Sequence, residues 1–304
     1  MMMINLCYYP VLPHVRRTRH RSCAMKSLHR KVAVVTGATS GIGARVAEVF
    51  AAEGAYVVLA GRREQEGQQR AAALGESATF VRCDVSVEAD VEALVGHAVE
   101  RYGRLDVMVN NAGGPGNMAS VTDFDSAVFT RTLAVHVAGV MHGVKHAGRQ
   151  MVAQRSGSII NVASLAGKIA GWSGLDYSTA KAAVLHLTRC AAVDLGEHEV
   201  RVNSVSPGFV PTGIFAKGSG AEASAADATA ASVAEAFKPL LDSSQPLPGT
   251  VRTDDIAAAV LWLAGDASRL VTGQDLAVDG GMTAGRPAAV SRAERTRMRD
   301  LLSS

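Results

Sequence analysis

The run "VASLAGKIAGWSGLDYSTAK", Val162 to Lys181, holds the residues best suited to proton chemistry. Tyr177 and Lys181 stand four apart and so share one face of a helix. Ser164 closes the preceding strand-like run, where its hydroxyl can converge with them at the carboxyl edge of a sheet. A phenol with a pKa of about 10 is a poor base at neutral pH, and an ammonium beside it favours phenolate and lowers that value. The trio therefore predicts acid/base work at a substrate oxygen, with Tyr177 as the group that exchanges the proton.

A second run, "VVTGATSGIG" from Val34 to Gly43, has the makings of a phosphate cradle. Gly37, Gly41 and Gly43, with Thr39, Ser40 and Ile42 between them, allow a tight turn in which backbone N–H groups and a helix N-terminus approach a pyrophosphate. A three-glycine turn alone is weak evidence, but its place after the first strand of a βα series strengthens it. At the end of the next strand, "VVLAGRREQ" offers Gly61 where an acid would bind a ribose 2′-hydroxyl, followed by Arg62 and Arg63. Without a carboxylate to repel it, a 2′-phosphate can pair with arginine, so NADP(H) is preferred and NAD(H) is the other choice.

These groups need a scaffold. From Lys31 the chain alternates β-branched apolar runs ("KVAVVT", "AYVVLA", "ATFVRC", "LDVMVN", "GSIINVAS", "EVRVNSV", "QDLAVDG") with longer helical stretches. Runs that are nearly continuously apolar, spaced by helices, predict an α/β fold: a doubly wound parallel sheet of seven strands, flanked by helices on both faces. One domain is expected over residues 31–282. A long Ala/Ser-rich insertion over about 211–249 is a candidate substrate lid. The tail, 283–304, reads as a polar surface helix or a partner-docking segment.

Composition narrows the classes. The 304 residues carry 31 Lys/Arg against 28 Asp/Glu, but residues 1–31 hold seven of the cations and no acid, so the remainder is mildly acidic. A polyanion-binding reading then rests only on the extension, and no nucleic-acid partner is expected. Cys7, Cys23, Cys83 and Cys190 form no CxxC pair or zinc-like spacing, which predicts no metal and a reducing compartment, with cytoplasm as the default. No apolar run approaches the roughly 20 residues of a membrane span. Residues 1–30 read as an unfolded basic extension or a targeting segment, with Met25 as a candidate initiator.

Taken in order, "TGATSGIG", "CDV" (Cys83 to Val85), "NNAG" (Asn110 to Gly113), Ser164, "YSTAK", "VNSVSPG" ending at Gly208, and "VDGG" (Val278 to Gly281) resemble the short-chain dehydrogenase/reductase superfamily over more than four fifths of the chain. The resemblance implies a Rossmann sheet of order 3-2-1-4-5-6-7 and a homotetramer, or a homodimer, built through the long helices that hold Tyr177 and His136 and the last strand. It implies direct hydride transfer, with Ser164 hydrogen-bonding the substrate oxygen and Lys181 binding the nicotinamide ribose. Asp84 and Val85 would contact adenine, and Asn110, Ala112 and Gly113 would line the cleft. Pro207, Gly208, Val210 and Thr212 would border the nicotinamide, and Asn203 would support the sheet.

One position departs from the family pattern. In "LAVHVAG", His136 stands where the family usually has asparagine, whose backbone holds a water linking the lysine to solvent. Read alone, a histidine among small apolar residues is a packed core residue; read with the resemblance, it sits at a proton-relay corner, where a helix distortion could survive the change and neutral imidazole offers both a donor and an acceptor.

The substrate pocket should draw on Met118, Trp172, Leu175, Phe209, Ile214 and Phe215, each of which could equally be core. An apolar pocket beside an acidic insertion predicts a small neutral secondary alcohol or ketone. A 3-oxoacyl (carrier protein or CoA) reductase is the alternative, disfavoured because such partners want a basic rim. A non-catalytic NADP-sensing protein on the same fold is the reading from another class.

Overall fold

Strand residues on both faces of this sheet are apolar because helices cover both. The computed structural model describes residues 26–215 and 228–303. The strands are β1 (Val32–Thr36), β2 (Tyr56–Gly61), β3 (Ala78–Arg82), β4 (Val107–Asn110), β5 (Gly157–Val162), β6 (Val200–Pro207) and β7 (Asp275–Val278). All pair in parallel in the order β3-β2-β1-β4-β5-β6-β7, as expected. Side-chain alternation splits the core: Val34, Met108, Ile159 and Val202 face one layer, while Val35, Val109, Ile160 and Val205 face the other.

The first layer is closed by α3 (Glu88–Tyr102), α5 (Gly139–Gln154) and α6 (Leu175–Leu195), and the second by α1 (Gly41–Ala52) and α8 (Thr253–Ala264). The remaining α-helices among the described residues are α2 (Glu64–Leu74), α4 (Ser126–Leu133), α7 (Ala230–Ser244) and α9 (Ala288–Leu302). Helix α9 has no buried residue, while Met298 and Leu301 are exposed on it. Between α4 and α5 the chain forms a five-residue π-helix, Ala134–Ala138, without breaking the run.

Two expectations need correction. The continuous stretch Ser126–Gln154 is long and apolar enough, by length and composition, to cross a membrane. Here Val140, Val144, Ala147 and Met151 pack it against the sheet instead. Folded structure also begins before Lys31: Leu28 is fully buried, its N–H donates to Glu53 O at 3.1 Å, and the Arg30 N–H donates to Gly54 O at 2.9 Å. Most of the basic extension, residues 1–25, and the Ala/Ser-rich centre of the insertion, residues 216–227, lie outside the described residues.

Candidate active site

The order of the sheet reverses between β1 and β4, and the candidate residues gather at the carboxyl ends of β1, β4, β5 and β6, where such sheets open a crevice. In the glycine turn, Gly37 (φ +67°) and Gly41 (φ +57°) adopt left-handed backbone, and a Cβ on Gly37 would lie 2.8 Å from Ala112 Cα. Ser40 precedes α1 without capping it by its side chain, so the N–H groups of the first turn are left for another acceptor. This donor set suits a pyrophosphate.

Asn111, not among the expected site residues, holds the turn in place. Its Nδ2 donates to Thr36 O at 2.8 Å and to Gly37 O at 3.3 Å. Thr36 Oγ1 in turn accepts from the N–H groups of Asn111 and Ala112, both at 3.0 Å. Thr212 comes within 3.5 Å of a Cβ built on Gly41, bringing the exit of β6 over the same turn. Gly208 packs tightly on Asp279 and donates its N–H to Val278 O at 2.9 Å.

Arg63 donates to Thr39 Oγ1 at 3.0 Å, and Arg70, a residue that sequence reasoning missed, donates to Thr39 O at 2.7 Å. Two guanidinium groups thus stand beside the turn. Arg62 is mostly exposed, 3.9 Å from Asp84 Oδ2. Burial works to raise the Asp84 pKa, but hydrogen bonds from Ser86 and the nearby arginines outweigh it and hold the carboxyl below its ordinary value. Val85 and Val210 are buried in the two core layers, so their side chains do not line a cleft. The Asn110 side chain also turns inward: its Nδ2 donates to Asn161 Oδ1 at 2.9 Å, and Asn161 Nδ2 donates to Thr188 Oγ1. What these three offer a ligand comes from the backbone.

Ser164 follows β5, and its Oγ accepts from the Ala166 N–H at 3.1 Å. Its hydroxyl also stands near enough to the Tyr177 phenol to favour phenolate there. Lys181, one helical turn beyond Tyr177, is buried; its Nζ donates to Val162 O at 2.7 Å and lies 5.5 Å from the centre of the tyrosine ring. Burial pushes the lysine down to about 8. The expected lowering of the phenol pKa is not found. Burial raises it by penalising phenolate, and the nearby Ser164 hydroxyl opposes that only in part.

His136 lies in the π-helix with its ring edge-to-face against Tyr177. Its Nε2 is 3.2 Å from Gly114 O and 3.3 Å from Gly114 N, which neutral imidazole can serve as donor in one tautomer or acceptor in the other. Its Nδ1 is buried and has no hydrogen-bond partner among the described residues. Burial first, then the charge of Lys181, pushes this imidazole down to about 3, so it is neutral under ordinary conditions.

Of the expected substrate residues, Met118 (77% exposed) and Leu175 (42%), the latter in the same helical turn as Tyr177, stand at the surface. Trp172 and Phe209 pack on Leu165, Leu241 and Met282. Phe209, Phe215 and Phe237 form an aromatic cluster with ring centroids 4.2–5.5 Å apart. Phe237, on α7, was not foreseeable as a site residue because its partners come from another segment. Ile214 is half-buried at the start of the insertion. A hollow of about 520 Å³ lies at the opposite, amino edge of the sheet, lined by Lys31, Asp106, Arg201 and Asp266 among others, and takes no part in this constellation.

The fold, the glycine turn and the Ser-Tyr-Lys cluster together define a nicotinamide-dependent oxidoreductase of Rossmann type. Residues 37–283 match a family described as Enoyl-(Acyl carrier protein) reductase. The chain is 43% identical over 271 residues to momilactone A synthase of Oryza sativa subsp. japonica, covering 87% of this chain and 94% of that one. It is 39% identical over 264 residues to a mitochondrial borneol dehydrogenase of Lavandula x intermedia, covering 86% and 94%. The structure of a short-chain type dehydrogenase/reductase from Mycobacterium marinum superposes with a TM-score of 0.75 at 34% identity, over 85% of this chain and 98% of that one. The chain belongs to the short-chain dehydrogenase/reductase family. It is an oxidoreductase acting on CH–OH groups with NAD(P).

Proposed function

We propose that this protein interconverts a small, neutral secondary alcohol and its ketone with a preference for NADP(H), using Tyr177 as acid/base. The observation that carries the reading is the convergence of Ser164, Tyr177 and Lys181 at the carboxyl edge of β5, beside an uncapped helix N-terminus. Bound NADPH supplies the hydride. The turn from Gly37 to Gly43 would hold its pyrophosphate, and Arg63, with Arg62 and Arg70 nearby, its 2′-phosphate.

The residues of the chain do the rest. Ser164 orients the substrate oxygen by hydrogen bonding, and Tyr177, protonated at neutral pH, donates its proton as the oxygen gains charge. Lys181 binds the ribose and restores the phenol's proton, with His136 at the corner through which that proton is replenished. Preorganised donors in a dehydrated site cost no rearrangement during reaction.

Apolar Trp172, Phe209 and Phe215 support a neutral, ring-containing substrate of small terpenoid type, and the relative named a borneol dehydrogenase supports the same class. Near the site, α7 carries Lys238 paired with Asp242, with Glu235 alongside, which disfavours a phosphate-bearing acyl carrier. A homotetramer through α5, α6 and β7 is supported by the exposed Met141, Val193 and Leu276 on those elements. Cytoplasmic residence is supported by free Cys83 and Cys190; expressing tagged protein with and without residues 1–24 tests it against mitochondrial import. Assaying a panel of cyclic ketones and alcohols with NADPH and NADH tests the main reading, and the absence of turnover with every pair would overturn it.

A further inference from the structure

Asp176, immediately before Tyr177, is buried, and its hydrogen-bond donors among the described residues are all uncharged. The Asn117 N–H reaches both Oδ1 and Oδ2 at 3.0 Å, the Tyr177 N–H reaches Oδ1 at 2.7 Å, and the Thr132 hydroxyl reaches Oδ2 at 2.9 Å. These donors belong to three pieces of chain: the loop after β4, the first turn of α6 and the last turn of α4. Burying a carboxylate without a counter-ion is costly, whereas hydrogen bonds to a charged acceptor are strong and directional. The arrangement calls for a positional explanation.

Close packing supplies one. A Cβ on Gly116 would lie 2.5 Å from Tyr177 Cβ and 2.6 Å from Asp176 Oδ1, and one on Gly174 would collide with Asn117 O. Gly116 and Asn117 therefore lie close against the first turn of α6, which carries the phenol. At its other end this strap, residues 114–117, meets His136 through the Gly114 backbone. Thr132 and His136 are one helical turn apart, so the strap is tied at both ends to the same helical run, with Tyr177 between the ties.

We propose that Asp176 is a positioning residue that pins the 114–117 strap across Tyr177, fixing the direction from which a substrate oxygen meets the phenol and hence which face of a ketone is reduced. The inference rests on Tyr177 being the proton donor. Met118, which follows Asn117 in the chain, is exposed.

The test uses the full chain, NADPH and whichever prochiral ketone the wild type reduces fastest. Asp176→Asn keeps one oxygen acceptor but turns an NH₂ against a donor. It should lower kcat by about 10- to 100-fold and erode the enantiomeric ratio about fivefold, as expected of a misplaced reacting pair, with the NADPH Kd unchanged. Thr132→Val should move both quantities in the same direction by less. Gly116→Ala leaves the carboxylate intact, lifts the strap, and should erode the ratio alone or together with kcat; it carries the test if Asp176→Asn does not fold. Unaltered kcat and enantiomeric ratio in Asp176→Asn, or an unaltered ratio in both Thr132→Val and Gly116→Ala, overturn the proposal. Tyr177→Phe separates the two levels: full turnover in it defeats the acid/base reading, whereas an inactive Tyr177→Phe beside an unaffected Asp176→Asn defeats only the positioning role.

Discussion

The rings of His136 and Tyr177 meet edge-to-face, their centroids 5.2 Å apart and their planes at 80°. This contact joins the π-helix to the reacting phenol and places a neutral imidazole where a charged one would repel Lys181. The position usually held by asparagine is thus filled without adding a second cation to the site.

That neutrality predicts an acid-sensitive fold. The unfolded chain takes up a proton at His136 below about 6.5, and the folded chain only near 3. Acidification through that window therefore favours unfolding, by up to about 1.4 kcal/mol per pH unit from this group alone. His136→Asn should lose less thermal stability than the wild type between pH 7 and pH 5 in parallel melting experiments, while retaining ketone reduction. An equal loss in both proteins would remove His136 from the acid response.

Because burial holds the Tyr177 phenol protonated, the two reaction directions should differ in their pH dependence. Ketone reduction, which needs the proton, should hold its rate through neutral pH. Alcohol oxidation, which needs phenolate, should climb about tenfold per pH unit while the phenol remains mostly protonated. Profiles of kcat/KM in both directions check this, and a common bell for the two would contradict it.

Removing the proton donor should be far more damaging than removing its neighbour. Tyr177→Phe is expected to lower kcat/KM by about 10²- to 10⁴-fold, the usual contribution of a positioned general acid. Ser164→Ala should cost less in rate but also about 1 kcal/mol in stability, because its hydroxyl caps the short helical turn at Leu165–Gly167. Steady-state kinetics and melting curves separate the two effects.

Cofactor choice should turn on Arg63 and Gly61. Arg63→Ala should raise the KM for NADPH about tenfold, matching one lost charge-assisted contact, and leave that for NADH nearly unchanged. Gly61→Asp should favour NADH, but its Cβ would lie 2.9 Å from the Thr39 methyl, so pairing it with Thr39→Ser should give the cleaner reversal. Ratios of kcat/KM for the two cofactors decide the matter.

Much of the architecture could be read from the sequence because strand burial on two faces leaves an unmistakable mark. "SIINV" and "VRVNSV" read as strands for the same reason that Ile159, Ile160, Val202 and Val205 divide between two core layers. Ser164, Tyr177 and Lys181 were legible because one short segment carries all three. Asp176, Asn111, Arg70 and Phe237 were not, since each acts on a partner from a separate segment, and spacing along the chain says nothing about such meetings. The phenol pKa was misread for a related reason: proximity to a lysine is visible in sequence, whereas desolvation is not.

The row Thr132, His136, Val140, Val144 and Gly148 repeats every four residues, and all five are buried. In an ordinary helix of 3.6 residues per turn, such a row would swing around the axis by about 40° at each step and soon leave the face it started on. The widened turn at Ala134–Ala138 takes up part of that swing. It works as a phase corrector, letting a single rod keep one side toward the chemistry at its first end and toward the sheet at its second.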